Sequence, residues 1–236
     1  MNRNLGVSIT WLGHATVLYH SAAGRSVLVD AWLDQNPATP DSAKDLKKVD
    51  LMLITHGHFD HFQDCLSIAK RYQPDVVCNF EIALYLGRKG VEKVHGINKG
   101  GSVALHDTKV TMVQAVHSSS IQDGDDVLPG GEPCGFVIQF DNGAKVYHAG
   151  DTALHSDMKL IGEIYKPDLA VLPIGDLFTM APHEAAIAAR MIGAKQVVPI
   201  HHSTFPALTG TPAALRDELK GSGIEVVDLK PGERST

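Results

Sequence analysis

The 236-residue chain has no apolar stretch approaching the roughly 20 residues needed to cross a bilayer, so no membrane-spanning role is expected. Its first residues, Met1-Asn2-Arg3-Asn4, lack the hydrophobic stretch of a secretory signal. Cysteine is scarce. Cys65, Cys78 and Cys134 are odd in number, widely spaced and without a Cys-x-x-Cys pair. That excludes a disulfide framework and fits small buried side chains in a reducing, cytoplasmic setting. Basic stripes are missing too: the formal charge is −6, and Lys44 to Lys48 is broken by Asp45 and followed by Asp50. A phosphate backbone needs a cationic stripe, so nucleic acid is not an expected partner. No linker, low-complexity tract or visible repeat divides the chain. The expectation is one α/β domain over residues 1–236, long enough to bury a substantial core.

What the chain does have is histidine in one place. Thr55-His56-Gly57-His58-Phe59-Asp60-His61 directly follows the apolar run Leu51-Met52-Leu53-Ile54 and brings three imidazoles and one carboxylate together. Neutral imidazole is the preferred nitrogen ligand of zinc and its neighbours, and aspartate supplies a hard oxygen. Capping and turn formation do not explain the pattern, because Ser or Asn would serve them better. A turn without cysteine argues for a catalytic site over a closed structural one. The segment is read as the active site of a metal-dependent hydrolase.

Three further apolar runs finish in a ligand-type residue. Val110-Thr111-Met112-Val113-Gln114-Ala115-Val116 leads to His117, Lys145-Val146-Tyr147-His148-Ala149-Gly150 to Asp151, and Gln196-Val197-Val198-Pro199-Ile200 to His201. Such runs read as buried strands, and sites in α/β sheets gather beyond strand ends. Candidate ligands are therefore His56, His58, Asp60, His61, His117, Asp151 and His201.

In that order, these residues resemble the metallo-β-lactamase fold superfamily. Thr10-Trp11-Leu12-Gly13-His14-Ala15-Thr16 and Pro199-Ile200-His201-His202-Ser203-Thr204-Phe205-Pro206 resemble, more narrowly, a branch of metal-dependent hydrolases related to L-ascorbate-6-phosphate lactonase and, more distantly, to N-acylphosphatidylethanolamine phospholipase D. The resemblance implies an α/β, four-layer αββα sandwich. The residue pattern is consistent with it: strands are predicted over 8–12, 16–19, 26–30, 75–78, 169–174, 197–200 and 225–229. Helices are predicted over 62–72, 82–89, 156–165, 182–192 and 212–220. Residues 31–48 read as a loop or irregular connection, and 118–131 as a polar loop.

The resemblance also implies roles. His56, His58 and His117 would hold one metal, Asp60, His61 and His201 a second, with Asp151 and a water or hydroxide bridging the two. Two divalent ions are expected, zinc first and manganese second. Against Asp60, Asp151 and hydroxide, their formal charge leaves roughly +1, which depresses the pKa of bound water. The implied reaction is attack of the bridging hydroxide on a small-molecule ester, lactone or phosphodiester, with Asp60 carrying the proton to the leaving group. Di-iron members that reduce oxygen carry Glu where His58 stands, which counts against metal-assisted oxidation. A metal-binding sensor or scaffold is the other alternative, and its mark would be a missing ligand. Strand alternation lets only one of His201 and His202 face the metal. The resemblance places the ligand at His201, leaving His202 to line the pocket. His14 is a candidate for the pocket or for supporting a ligand, Asp30 for orienting a ligand imidazole, and Phe178 with Met180 for an apolar pocket wall.

Overall fold

Apolar runs such as Leu51–Leu53 and Leu169–Pro173 are continuous because the strands they form are covered on both faces. The computed structural model describes residues 5–235. Strands β1 (Ser8–Gly13), β2 (Thr16–His20) and β3 (Ser26–Val29) form an antiparallel meander. Helix α1 (Asp41–Lys44) follows, and β4 (Leu51–Leu53) then joins β3 in parallel. Helices α2 (Phe59–Phe62) and α3 (Cys65–Tyr72), strand β5 (Asp75–Asn79), helix α4 (Phe80–Arg88) and strand β6 (Val94–Ile97) complete a first sheet of order β1-β2-β3-β4-β5-β6.

The second half repeats this plan. Strands β7 (Ser102–Leu105) and β8 (Thr108–Gln114) precede a separate two-stranded ribbon, β9 (Ser120–Asp123) and β10 (Asp126–Pro129). Strands β11 (Cys134–Gln139) and β12 (Lys145–His148) finish the antiparallel part. Helix α5 (Asp157–Tyr165), β13 (Leu169–Pro173), α6 (Pro182–Ile192), β14 (Gln196–Ile200), α7 (Pro212–Glu218) and β15 (Glu225–Val226) follow. The second sheet runs β15-β14-β13-β12-β11-β8-β7. An antiparallel meander followed by parallel crossovers therefore occurs twice.

Side-chain alternation sorts the strands into layers. Leu51, Leu53, Met112, Phe136, Val171 and Val198 meet between the two sheets. Met52 and Ile54 point the other way, onto Phe62, Ile68, Ile82 and Leu86 of α2 to α4. Ala170, Leu172 and Val197 face Met158, Ala185, Ala189 and Leu215 of α5 to α7. The expected four-layer αββα sandwich is what these three cores build. All three cysteines are free and buried, and no helix among the described residues is long and apolar enough to cross a membrane.

Several expectations need correction. The region expected as a polar loop over 118–131 contains the β9–β10 ribbon, tied by the Asp123↔Asp126 to Ser120↔Pro129 register. The helix expected over 62–72 starts at Cys65, since Phe62 closes the separate short α2, and between the two Asp64 accepts through its carboxylate from the Leu33 and Asp34 amides at 2.5 and 2.9 Å. The connection over 31–48 includes α1, and β6 was not anticipated. Met180 lies in the core against α6 instead of walling a pocket.

Candidate metal centre

The chain leaves β4 at Leu53, and Thr55 and His56 follow fully buried. The His58 carbonyl then accepts from the His61 and Phe62 amides at 3.0 Å each, so the chain turns at once into α2. Gly57 is required by approach: a Cβ there would lie 2.8 Å from Ile121 Cγ1 and the Ser120 carbonyl oxygen. The β9–β10 ribbon thus rests directly on the turn.

Loops from both sheets converge here. The potential ligand atoms of His56, His58 and His117 all lie within 4.8 Å of one another, and so do those of His14, Asp60, His61 and His201. Asp151 sits between the two groups. Its Oδ2 lies 3.1 Å from His201 Nε2, 3.3 Å from His61 Nε2 and 3.6 Å from His117 Nε2. Asp60 Oδ2 is 2.9 Å from His14 Nε2, 3.7 Å from His201 Nε2 and 3.9 Å from His61 Nε2.

Beneath both groups lies Asp30, fully buried at the end of β3. The Thr55 amide and hydroxyl donate to its two oxygens at 2.8 Å each, and His61 Nδ1 donates to Oδ2 at 2.6 Å. With its own proton on Asp30, the Thr55 hydroxyl accepts from His56 Nδ1 at 2.9 Å. One carboxylate therefore engages Nδ1 on an imidazole of each group and turns Nε2 towards the centre, that of His56 lying 3.0 Å from His58 Nδ1. His14, Asp30 and His201 adopt φ of 53°, 57° and 56°. Left-handed backbone at residues with a Cβ costs about 1–3 kcal/mol each and gathers at functional sites. The loop after β13 presses on the last of them, since a Cβ on Gly175 would overlap the His201 carbonyl.

Burial, reinforced by neighbouring imidazoles, holds His56, His58 and His117 below the usual imidazole pKa, and so neutral with lone pairs available. Burial also lowers His14, to about 4, against the opposing bond to Asp60. For His61 and His201 burial is outweighed by the carboxylates, chiefly Asp151, and His201 rises to about 9. Asp60 and Asp151 are pulled well below the carboxylate range by surrounding imidazoles despite their burial, while burial raises Asp30. The donor set fits a pair of borderline divalent cations: imidazole nitrogens in two groups, with a carboxylate within reach of both. His61 Nε2 and Asp151 Oδ1 are moreover buried without a well-directed hydrogen bond, as atoms reserved for another partner are.

The model of the beta-lactamase superfamily domain matches residues 25–202. A UPF0173 metal-dependent hydrolase of Koribacter versatilis is 50% identical over 228 residues, covering 97% of each chain. One from Rubrobacter xylanophilus is 48% identical over 231 residues, covering 97% of this chain and 96% of the relative. The chain belongs to the UPF0173 family of metal-dependent hydrolases. It shares the metallo-β-lactamase fold. Igni18, a metallo hydrolase from Ignicoccus hospitalis, superposes with a TM-score of 0.86 at 33% identity, covering 97% of both chains.

In this UPF0173 chain all seven ligand-type residues expected from sequence come together: His56, His58, Asp60, His61, His117, Asp151 and His201. Asp30 lies under them, and His14 stands among them, touching Asp60 and bonded through Nδ1 to Thr204 Oγ1 at 2.9 Å. His202 does not line the pocket. Its buried ring stacks on Trp11 at 4.7 Å between centroids, beyond the end of β14 and the left-handed turn at His201. Phe178 is exposed on the loop that packs against His201. Thr55, the link between Asp30 and His56, is absent from the sequence-based expectations. Its only sequence signal is a hydroxyl immediately before the first histidine of the turn.

Proposed function

We propose that this metal-dependent hydrolase is dinuclear and cleaves a small-molecule ester, lactone or phosphodiester. The observation that carries this reading is Asp151 Oδ2, within 3.1 to 3.6 Å of Nε2 atoms belonging to both ligand groups. His56, His58 and His117 would hold one ion, and Asp60, His61 and His201 the other, with Asp151 shared. Imidazole-rich sites favour zinc, with manganese second. The bound ions would supply Lewis acidity, polarising the electrophile and making water a nucleophile near neutral pH.

The chain's own residues account for the rest. Asp30 and Thr55 fix the tautomers and ring directions of His61 and His56. His14 anchors Asp60 Oδ2 at 2.9 Å. The Asp60 side chain is 15% exposed where that of Asp151 is 2% exposed. That difference in exposure supports Asp60 as the carboxylate that would meet the substrate and pass a proton to the departing group. The family resemblance supports a small-molecule substrate over nucleic acid or membrane, as do the acidic net charge and the absence of a basic run.

Protein purified without chelator or added metal tests this reading. Elemental analysis should find two equivalents of metal, and turnover of an activated ester or phosphodiester should vanish on chelation. Asp151→Ala and His58→Ala should each abolish that turnover. Wild-type-like activity in either variant would refute the assignment.

A further inference from the structure

Around the centre, charge and greasiness are distributed unevenly. The segments that end the strands on this side are residues 30–40, 54–62, 115–133, 149–156, 174–181 and 201–211. None of the chain's 21 lysines and arginines falls in them. They do hold Asp34, Asp123, Asp125, Asp126, Glu132 and Asp176 besides Asp30 and the ligand residues. Lys99, on the next loop along the first sheet, and Lys89, just after α4, are tied to Glu132 and Asp123 at 2.8 Å each. A substrate with a phosphate or carboxylate away from the scissile bond would meet no unpaired lysine or arginine in these segments, and Asp34, Asp125, Asp126 and Asp176 add like charge.

Apolar side chains occupy the same segments. Trp32 and Phe59 pack edge to face at 5.6 Å, Trp32 stacks on Phe205 at 6.0 Å, and Phe205 lies 5.6 Å from His14, which holds Asp60. This aromatic cluster, with Trp32 buried at its middle, runs from His14 beside Asp60 to Phe59, which is 49% exposed. Leu177 and Phe178, 63% and 58% exposed, stand on the loop pressed against His201. Exposed aromatic and aliphatic groups gathered at a polar site mark a binding surface for an apolar body.

We infer that the substrate is a neutral carboxylic ester or lactone with an apolar acyl portion, and that it carries no phosphate or carboxylate. This rests on the hydrolase reading above and narrows it. In the reaction, water adds to the acyl carbon, the bond from that carbon to the alcohol oxygen breaks, and the alcohol takes the proton released by water.

Matched probes on the metal-loaded full chain test it by binding and by turnover. Hexanohydroxamic acid and adipic acid monohydroxamate share a metal-directed head and chain length but end in methyl or carboxylate. Calorimetry should show the methyl form binding at least tenfold tighter, with Phe59→Ala and Phe178→Lys each narrowing that ratio. 4-Nitrophenyl butyrate should exceed mono-4-nitrophenyl succinate at least tenfold in kcat/KM, and bis-4-nitrophenyl phosphate by more. Equal or tighter binding of the carboxylate form, or preference for the succinate or phosphodiester, overturns the inference while leaving the hydrolase reading standing. Tenfold selective binding with no metal-dependent turnover of any ester would instead uphold the apolar pocket and defeat the hydrolase.

Discussion

Replacing Asp30 by Asn separates support of the metal centre from support of the fold. The carboxylate accepts from the Thr55 amide, the Thr55 hydroxyl and His61 Nδ1, at 2.8, 2.8 and 2.6 Å. An amide has one acceptor oxygen, so one side of the new group must face a donor. If the oxygen stays near His61, the amide nitrogen opposes the Thr55 N–H. If it stays with the Thr55 amide, the amide nitrogen faces His61 Nδ1, which must then accept. The proton moves to His61 Nε2, the atom needed for a metal, and the Thr55 hydroxyl can no longer hold His56 through the same link. Supporting carboxylates of this kind are worth about 10–100-fold in metal affinity, equal to about 1.4–2.8 kcal/mol. The fold should lose less, because burial raises the Asp30 pKa and the variant relieves that cost of burying charge. We expect 10–100-fold weaker metal binding in competition with a chromophoric chelator, with a metal-free Tm within a few degrees of wild type. Unchanged affinity at both positions would refute the coupling, and so would a loss seen only alongside unfolding.

Four other outcomes follow from the packing. Gly175→Ala forces a Cβ into the His201 carbonyl; it should lower stability by about 1–3 kcal/mol and weaken metal binding, read by denaturant melts and metal titration. Gly57→Ala should push Ser120 and Ile121, and with them the β9–β10 ribbon, off the histidine-rich turn, seen as faster amide exchange in that ribbon with the sheets unchanged. Chelation should lower Tm and added zinc restore it, since a ligand of the native state stabilises by RT ln(1 + [L]/Kd); an unchanged Tm would count against the site. His148 is buried against the Tyr19 hydroxyl at 2.8 Å, and burial lowers its pKa to about 3. Its neutral form is the folded one, so the penalty is absent above the unfolded value near 6.5 and grows as pH falls from there towards 3. The double substitution Tyr19→Phe with His148→Leu removes both partners, and should leave stability at pH 8 nearly unchanged while flattening its decline between pH 6 and 4.

The ligand residues were legible because each follows a buried strand, a signal confined to a few neighbouring residues. His117, Asp151 and His201 needed only an apolar run and the residue ending it. Strands covered on both faces were legible for the same reason, since the continuous apolar runs Leu51–Leu53 and Leu169–Pro173 are local, whereas the four-layer arrangement was implied by the resemblance of the ligand pattern. Strand β10 was not, because all four of its residues are exposed and no apolar face marks it. Strand β6 is a short, half-exposed edge. The direct contact of His14 with Asp60 and Thr204 spans 46 and 190 positions of sequence. No local pattern encodes such a pairing, only the closure of the sandwich.

The first sheet's connections bring four of the convergent side chains, His56, His58, Asp60 and His61, and the second sheet's bring His117, Asp151 and His201. Each half alone carries a partial set of donors. A cation seated between them would act as a rivet at the open rim of the sandwich, resisting the prying apart of its two leaves. Starved of that cation, the same polypeptide would gape first at this rim, so a protease added during metal depletion should nick the connections there before it reaches either sheet.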